Sequence, residues 1–317
     1  MTSLEPEILR ESWFLAGPTA SGKSEVSLCL AERLNAEIIS LDSMAVYRGM
    51  DIGTAKPGRT ERAQVRHHLI DVADPHEEFS VAEFVRMAGQ AAAAIVARGR
   101  IPLFVGGTGL YLRSLLRGLC ESPASDRELR LSLEQEARVQ GNAWIHAQLR
   151  TVDPASADRL HVNDIRRVIR AIEVYRTVGQ PVSEIQQQRP CPPEDQPRAV
   201  VWLAPPRDWL YRRIDQRVDR MMAAGLLEET RQLLLHDPPP GRTARQALGY
   251  RELIAVLEGR VAPTEAVRQI QTATRQFAKR QHTWFRNLPE CTALPFAGNE
   301  SPPQIADEIQ SYGRRGR

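Results

Sequence analysis

Gly17-Pro18-Thr19-Ala20-Ser21-Gly22-Lys23-Ser24 fits the pattern G-x-x-x-x-G-K-[ST] in full, and its reading decides the fold. The apolar run Trp13-Phe14-Leu15-Ala16 leads in as a strand, and Val26, Leu30 and Leu34 follow at helical spacing. Strand, glycine turn and helix form the context that the pattern requires. There, backbone N–H groups converge on phosphate oxygens at a helix N-terminus, and Lys23 adds a full positive charge. The Ser24 hydroxyl is the expected Mg2+ contact. Residues 17–24 are thus expected to bind a phosphorylated substrate, whose identity the pattern leaves open.

Working outward, residues 37–42 read as a second strand ending on Asp42. Ligands of open α/β sheets sit beyond the carboxyl ends of the strands, so Asp42 is expected to face the same crevice as the glycine loop. Residues 43–57 are too irregular for one element and read as a loop. Residues 67–72 read as a third strand. Its adjacent His67 and His68 would point to opposite faces, which argues against a joint metal site. Ser80 with Glu83 three residues on caps a helix reaching Arg98. Residues 101–105 form a uniformly apolar, buried strand that stops at Gly106-Gly107-Thr108-Gly109. Thr108 is either a turn residue or a hydroxyl aimed at the crevice. No carboxylate ends that strand, so Asp42 or Asp71 would have to supply the acid of an ordinary ATPase.

From about residue 120 helical patterns replace strands, with Leu129, Leu133 and Ala137 behind Asp126, and Val168, Ile172 and Tyr175 behind Asn163-Asp164. A proline-rich connector over 189–197 closes this block, and residues 198–203 resume the sheet. The expected fold is α/β: a P-loop NTPase-like parallel sheet flanked by helices (1–119 plus 197–317), with an all-helical insertion domain (120–196). Helices are expected over 207–235 with a break near Gly225, around Glu252, and from Pro263 to Asn287. Residues 298–317 end polar and basic and are expected to be partly disordered.

Composition sets bounds. In 317 residues with a formal charge of +3, a polyanion partner must be held by a patch and not by the whole surface. Only Lys23, Lys56 and Lys279 are lysines among 42 basic residues. Cys29, Cys120, Cys191 and Cys291 form no metal or disulfide spacing. Neither a leader nor a membrane-spanning run is seen, so a soluble, cytoplasmic protein without membrane contact is expected.

Two helices carry the charge of interest. Arg213, Arg217 and Arg220 share one face, and Arg217 has no carboxylate at its three- and four-residue neighbours, which an external anion would explain. On the last long helix Arg275, Lys279, His282 and Arg286 form a basic stripe, with Phe277, Trp284 and Phe285 interleaved. That combination suits nucleic acid, phosphates by charge and bases by stacking; the alternative is a solvated stripe over core aromatics.

The segments GPTASGKS (17–24), ISLDSMAVYRGMDIGTAKP (39–57), HHLIDV (67–72), IPLFVGGTGLYL (101–112), RVIRAIEVY (167–175), GYREL (249–253) and TRQFAKRQHTWFR (274–286) resemble the bacterial tRNA dimethylallyltransferase family, also called tRNA isopentenyltransferase. They span nearly the whole chain in order. The resemblance implies transfer of a dimethylallyl group from dimethylallyl diphosphate to N6 of the adenosine at tRNA position 37, beside the anticodon. It implies Asp42 as base, Thr108 and Arg217 as further catalytic groups, and Mg2+ on Ser24. Asp71 or the 51–57 loop could also position the ion. The tRNA contacts it implies are Asp42, Ser43, Met44, Ala45, Arg130, Arg166, Arg167, Val168, Ile169, Arg170, Gln246, Gly249, Tyr250, Arg251, Lys279, Arg280, Gln281, His282, Thr283, Trp284, Phe285 and Arg286. The partners are the tRNA anticodon stem-loop and the diphosphate, and the protein is expected to act as a monomer. Ser24 where the family often has Thr keeps the hydroxyl, and Arg66 stands where Pro is common. A P-loop small-molecule kinase, an adenylate isopentenyltransferase and a nucleic-acid-binding protein with an ATP switch are the rivals.

Overall fold

The computed structural model describes residues 4–119, 123, 126–185 and 190–315; Cys120 and Arg189 lie outside them. The chain divides into two compact units, one over 3–116 and 190–317 and the other over 117–189.

The larger unit begins with α1 (Pro6–Glu11), β1 (Trp13–Ala16), α2 (Lys23–Leu34), β2 (Ala36–Leu41), α3 (Arg59–Gln64), β3 (His67–His68), α4 (Val81–Ala97), β4 (Ile101–Gly106) and α5 (Gly109–Arg117). In the smaller unit, α6 (Arg127–Gln140), α7 (Asn142–Val152), α8 (Pro154–Arg159), α9 (Ile165–Val178) and α10 (Val182–Ile185) enclose Leu133, Ile145, Leu149, Val168 and Ile172. Back in the larger unit come β5 (Ala199–Ala204), α11 (Arg207–Ala223), α12 (Leu226–Leu234), α13 (Arg242–Arg245), α14 (Tyr250–Leu257), α15 (Pro263–Arg286), β6 (Thr292–Pro295) and α16 (Pro302–Arg315).

All six strands pair in parallel, in the order β3-β2-β4-β1-β5-β6. The register sets Gly106 opposite both Ala16 and Leu41. The three segments that follow, Gly17 onward, Asp42 onward and Gly107 onward, therefore leave one sheet edge side by side. Apolar side chains of β1, β4 and β5 meet α2 and α16 in a core that includes Leu15, Leu30, Leu103, Leu203, Ile305 and Ile309.

Two expectations fail. The strand expected over 67–72 stops after His68, because Leu69 and Asp71 adopt φ of 61° and 58°, which no strand tolerates. Residues 302–315 form α16: Ile305 and Ile309 lie one helical turn apart with Ala306 beside them, and the three are 5%, 1% and 0% exposed against α2 and the sheet. The polar letters between them face water.

Candidate active site

The glycine loop takes its shape from the backbone. Gly17 has φ 151°, Ala20 63° and Gly22 89°, so the chain folds back on itself before α2 begins at Lys23. The first N–H groups of that helix point out of its N-terminus unpaired by the helix itself. Lys23 reaches back to donate to the Pro18 carbonyl at 2.6 Å. Burial, then the nearby positive Arg217, lower its pKa to about 7, with Asp42 pulling in the opposite direction.

Asp42 follows β2 directly. Its Oδ1 accepts from the Met44 and Ala45 amides at 2.8 and 3.2 Å, a local turn that fixes the carboxylate. Its Oδ2 has no hydrogen bond among the described residues. Thr108 ties the turn together and also lines the cavity: its amide donates to the Leu41 carbonyl at 3.0 Å and its Oγ1 accepts from the Ser43 amide at 3.1 Å. The hydroxyl keeps its own proton to donate. Arg217, on α11, makes no ion pair among the described residues; burial lowers its pKa and Asp42 is the charge that opposes this. Lys23, Asp42, Thr108 and Arg217 all line a cavity of about 570 Å3, together with Thr19, Ser24 and the 53–57 loop. Apolar wall comes from Ile214, Val218, Met221 and Ile270.

The roof is braced from α12. Glu229 accepts from the amides of Asp51, Ile52 and Gly53 at 3.0, 2.8 and 3.1 Å and from the Tyr250 hydroxyl at 2.6 Å. A Cβ on Gly53 would lie 2.4 Å from the Tyr250 ring, so this loop can pass only as glycine. The Lys56 side chain is 1% exposed, bonded to Tyr47 O, Asp51 and Asp71 at 2.5, 2.7 and 2.6 Å. Asp71 is also held by Arg62 at 2.7 Å. Lys56 and Arg62 thus hold one carboxylate oxygen of Asp71 each. Among the described residues no group of three His, Cys, Asp or Glu could hold a metal.

The long helix α15 closes the cavity, and its approach depends on two glycines. A Cβ on Gly107 would meet Gln281 at 2.2 Å and one on Gly109 would meet Trp284 at 2.0 Å. The expected basic stripe is thinner than its spacing implies, since Arg275 pairs with Asp215 at 2.7 Å. Lys279, Arg280, Thr283 and Arg286 are exposed, with Phe277 and Trp284 each 37% exposed. His282 packs edge-on to Trp202, and burial lowers its pKa.

Several expected tRNA contacts are buried instead. Phe285 (1% exposed) packs against Trp202, Tyr250 (0%) binds Glu229, and Val168 and Ile169 (0% and 2%) fill the core of the helical unit. Gln281 is 7% exposed and bonded inward at both ends of its carboxamide. Within the helical unit, Arg130 and Arg170 bind the buried Glu173 at 2.8 and 3.1 Å, whereas Arg166 and Arg167 are exposed. Gln246 and Arg251 are exposed, and Arg251 is paired with Glu252. Glu229 and Asp215 were not anticipated, because each acts on a partner far away in sequence and carries no local signal.

A glycine loop at a helix N-terminus, a fixed carboxylate, Lys23 and Arg217 share one cavity, a set suited to a transferase that acts on a phosphorylated donor. Comparison with known proteins gives the class a family. Residues 45–288 match the family model described as IPP transferase. A tRNA dimethylallyltransferase of Symbiobacterium thermophilum is 50% identical over 296 residues, covering 93% of this chain and 92% of the relative. That of Geobacter metallireducens is 47% identical over 282 residues, covering 89% and 91%. The full-length tRNA isopentenylpyrophosphate transferase of Bacillus halodurans superposes with a TM-score of 0.70 at 37% identity, covering 97% of this chain and 98% of that one. A eukaryotic dimethylallyltransferase acting on tRNA superposes with a TM-score of 0.79 at 29% identity, covering 96% and 80%. The chain belongs to the IPP transferase family. No described helix is long and apolar enough to cross a membrane.

Proposed function

We propose that the protein transfers a dimethylallyl group from dimethylallyl diphosphate to N6 of the adenosine at tRNA position 37, working as a monomer in the cytoplasm. The observation that carries the reading is the placement of Asp42, fixed through one carboxylate oxygen, in one cavity with the glycine loop, Lys23 and Arg217. An ATPase would place an acid at the end of β4; here glycines stand there and the base sits one strand away.

The chemistry follows from the charges. Breaking the allylic C–O bond sends its electron pair to the diphosphate, and Lys23, Arg217 and the α2 N-terminus stabilise the charge that develops. N6 attacks the allylic carbon while its proton passes to Asp42, since an amine conjugated to the purine ring is a poor nucleophile until it loses that proton. Thr108 donates its hydroxyl proton to the oxygen or nitrogen beside it. Ser24, Thr19 and Asp42 line the cavity with hard oxygens that fit Mg2+, which Ser24 would hold. Bound there, Mg2+ would neutralise diphosphate charge. The adenine must leave its stack, at about a few kcal/mol. Exposed Lys279, Arg280, Thr283, Trp284 and Arg286, with Gln246, Arg251, Arg166 and Arg167, are the groups available to offset this on tRNA.

Labelled dimethylallyl diphosphate with Mg2+ and either unmodified tRNA or AMP tests the reading. Label in tRNA alone supports it. Label in AMP alone assigns the chain to free-nucleotide prenylation, and ATP consumption without label transfer makes it a kinase or switch.

A further inference from the structure

Of the three arginines on one face of α11, Arg217 lines the cavity and Arg220 turns back to the Gln216 carbonyl of its own helix. Arg213 reaches the glycine loop instead. Its Nε donates to the Ala20 carbonyl at 3.1 Å, and its Nη2 lies 3.8 Å from Glu25 in the first turn of α2. The guanidinium rests on the Trp209 ring, 4.8 Å from its centroid. Trp209 is itself fixed, since its indole N–H donates to the Gly298 carbonyl at 3.1 Å and its ring meets Phe296 edge-on. The N–H aimed at Ala20 is therefore oriented by a planar group with little freedom left to lose.

Ala20 is the loop residue that needs holding. Its φ of 63° is left-handed, a conformation that a residue with a Cβ adopts at a cost and that Gly22, at 89°, adopts freely. Neither Thr19 nor Ser21, on either side of it, has a positive φ. A left-handed residue between two of ordinary hand turns successive N–H groups toward one side, the geometry of an anion-binding nest. The Ala20 methyl packs with Leu210 and Ile214 of α11 and Ala278 of α15, while Arg213 takes its carbonyl. Arg213 is not among the residues that line the cavity, so its hold is on the loop and not on an anion.

We propose that Arg213 is a positioning residue: by holding the Ala20 carbonyl it keeps that residue left-handed and presets the glycine loop for a diphosphate. The inference rests on the reading that residues 17–24 hold the leaving diphosphate. It separates Arg213, which shapes the loop, from Arg217, which lines the cavity.

The test is a double-mutant cycle read by calorimetric titration of the full chain with inorganic pyrophosphate and Mg2+. Arg213→Met keeps the stem on Trp209 and removes the N–H, and affinity should fall about 5- to 20-fold. Ala20→Gly adopts the left-handed conformation without help, so in that background the same substitution should cost less than about twofold. Trp209→Leu removes the platform but leaves the charge, and it should lower affinity by about two- to fivefold. An equal loss from Arg213→Met in both backgrounds means that Arg213 acts only as a charge and overturns the proposal. Wild-type affinity in Arg213→Met or in Trp209→Leu overturns it too, with the prenyl-transfer reading left standing. Failure of the wild type to bind pyrophosphate at all overturns the diphosphate reading and the proposal together.

Discussion

The hydroxyl of the buried Tyr250 donates to Glu229 at 2.6 Å, and the same carboxylate gathers the amides of Asp51, Ile52 and Gly53. Burial and the carboxylate push the Tyr250 pKa up, so the phenol stays a donor across the working pH range. Glu229→Ala strands four donors and should cost about 2–4 kcal/mol, since each buried unsatisfied group costs about 1–3 and some regain water. Urea unfolding reads this, and donor KM should rise because the 53–57 segment lines the cavity. Tyr250→Phe should cost about 1 kcal/mol.

Asp42→Asn retains the shape of the Asx turn through its remaining carbonyl oxygen but cannot take a proton. Turnover should fall about 100- to 10,000-fold, the usual worth of a positioned base. Donor affinity by calorimetry and the unfolding midpoint should stay near wild type. Near-normal turnover would remove Asp42 as the base.

Lys23 makes donor binding pH-dependent. Its pKa is lowered to about 7 by burial and by Arg217, and a diphosphate favours the charged form. Binding above that pH must therefore take up a proton, and affinity should weaken as pH rises from about 7 to 9. Lys23→Arg, always charged, should lose that dependence, which separates it from titration of the diphosphate itself. For the unliganded protein the sign is opposite: between about 7 and the ordinary lysine value of 10.5 the unfolded chain holds a proton that the native state lacks. Stability should rise with pH across that window.

Gly109→Ala should act on α15. The new Cβ would come within 2.0 Å of the Trp284 ring, which stacks under Arg113 at 5.2 Å. Pushing the ring out should cost about 1–3 kcal/mol of stability as an overpacking strain. In steady-state assays tRNA KM should rise more than donor KM.

Much of this site is legible in the sequence because its parts are local. The glycine loop, Asp42 ending a strand, the Gly106-Gly107-Thr108-Gly109 turn and the Ser80 cap each announce themselves within a few residues, and each stands where expected. What escaped depends on partners distant in sequence. Arg275 looks like a free cation until Asp215, 60 residues away, takes it. Gln281 reads as one more polar residue on a nucleic-acid helix until the loop 262 residues away claims its carboxamide. The tail differs from its expectation for another reason: three apolar residues spaced for one helix face suffice to dock α16, though average composition there is polar.

The central claim is that the glycine loop holds a departing diphosphate and the nucleotide is the acceptor. Its most direct measurement is product stoichiometry with an unmodified anticodon stem-loop, dimethylallyl diphosphate and Mg2+, ATP being omitted. One pyrophosphate released per N6-dimethylallyladenosine formed at position 37 is the predicted result. Absence of prenylated adenosine, or product that forms only when ATP is hydrolysed, would contradict it.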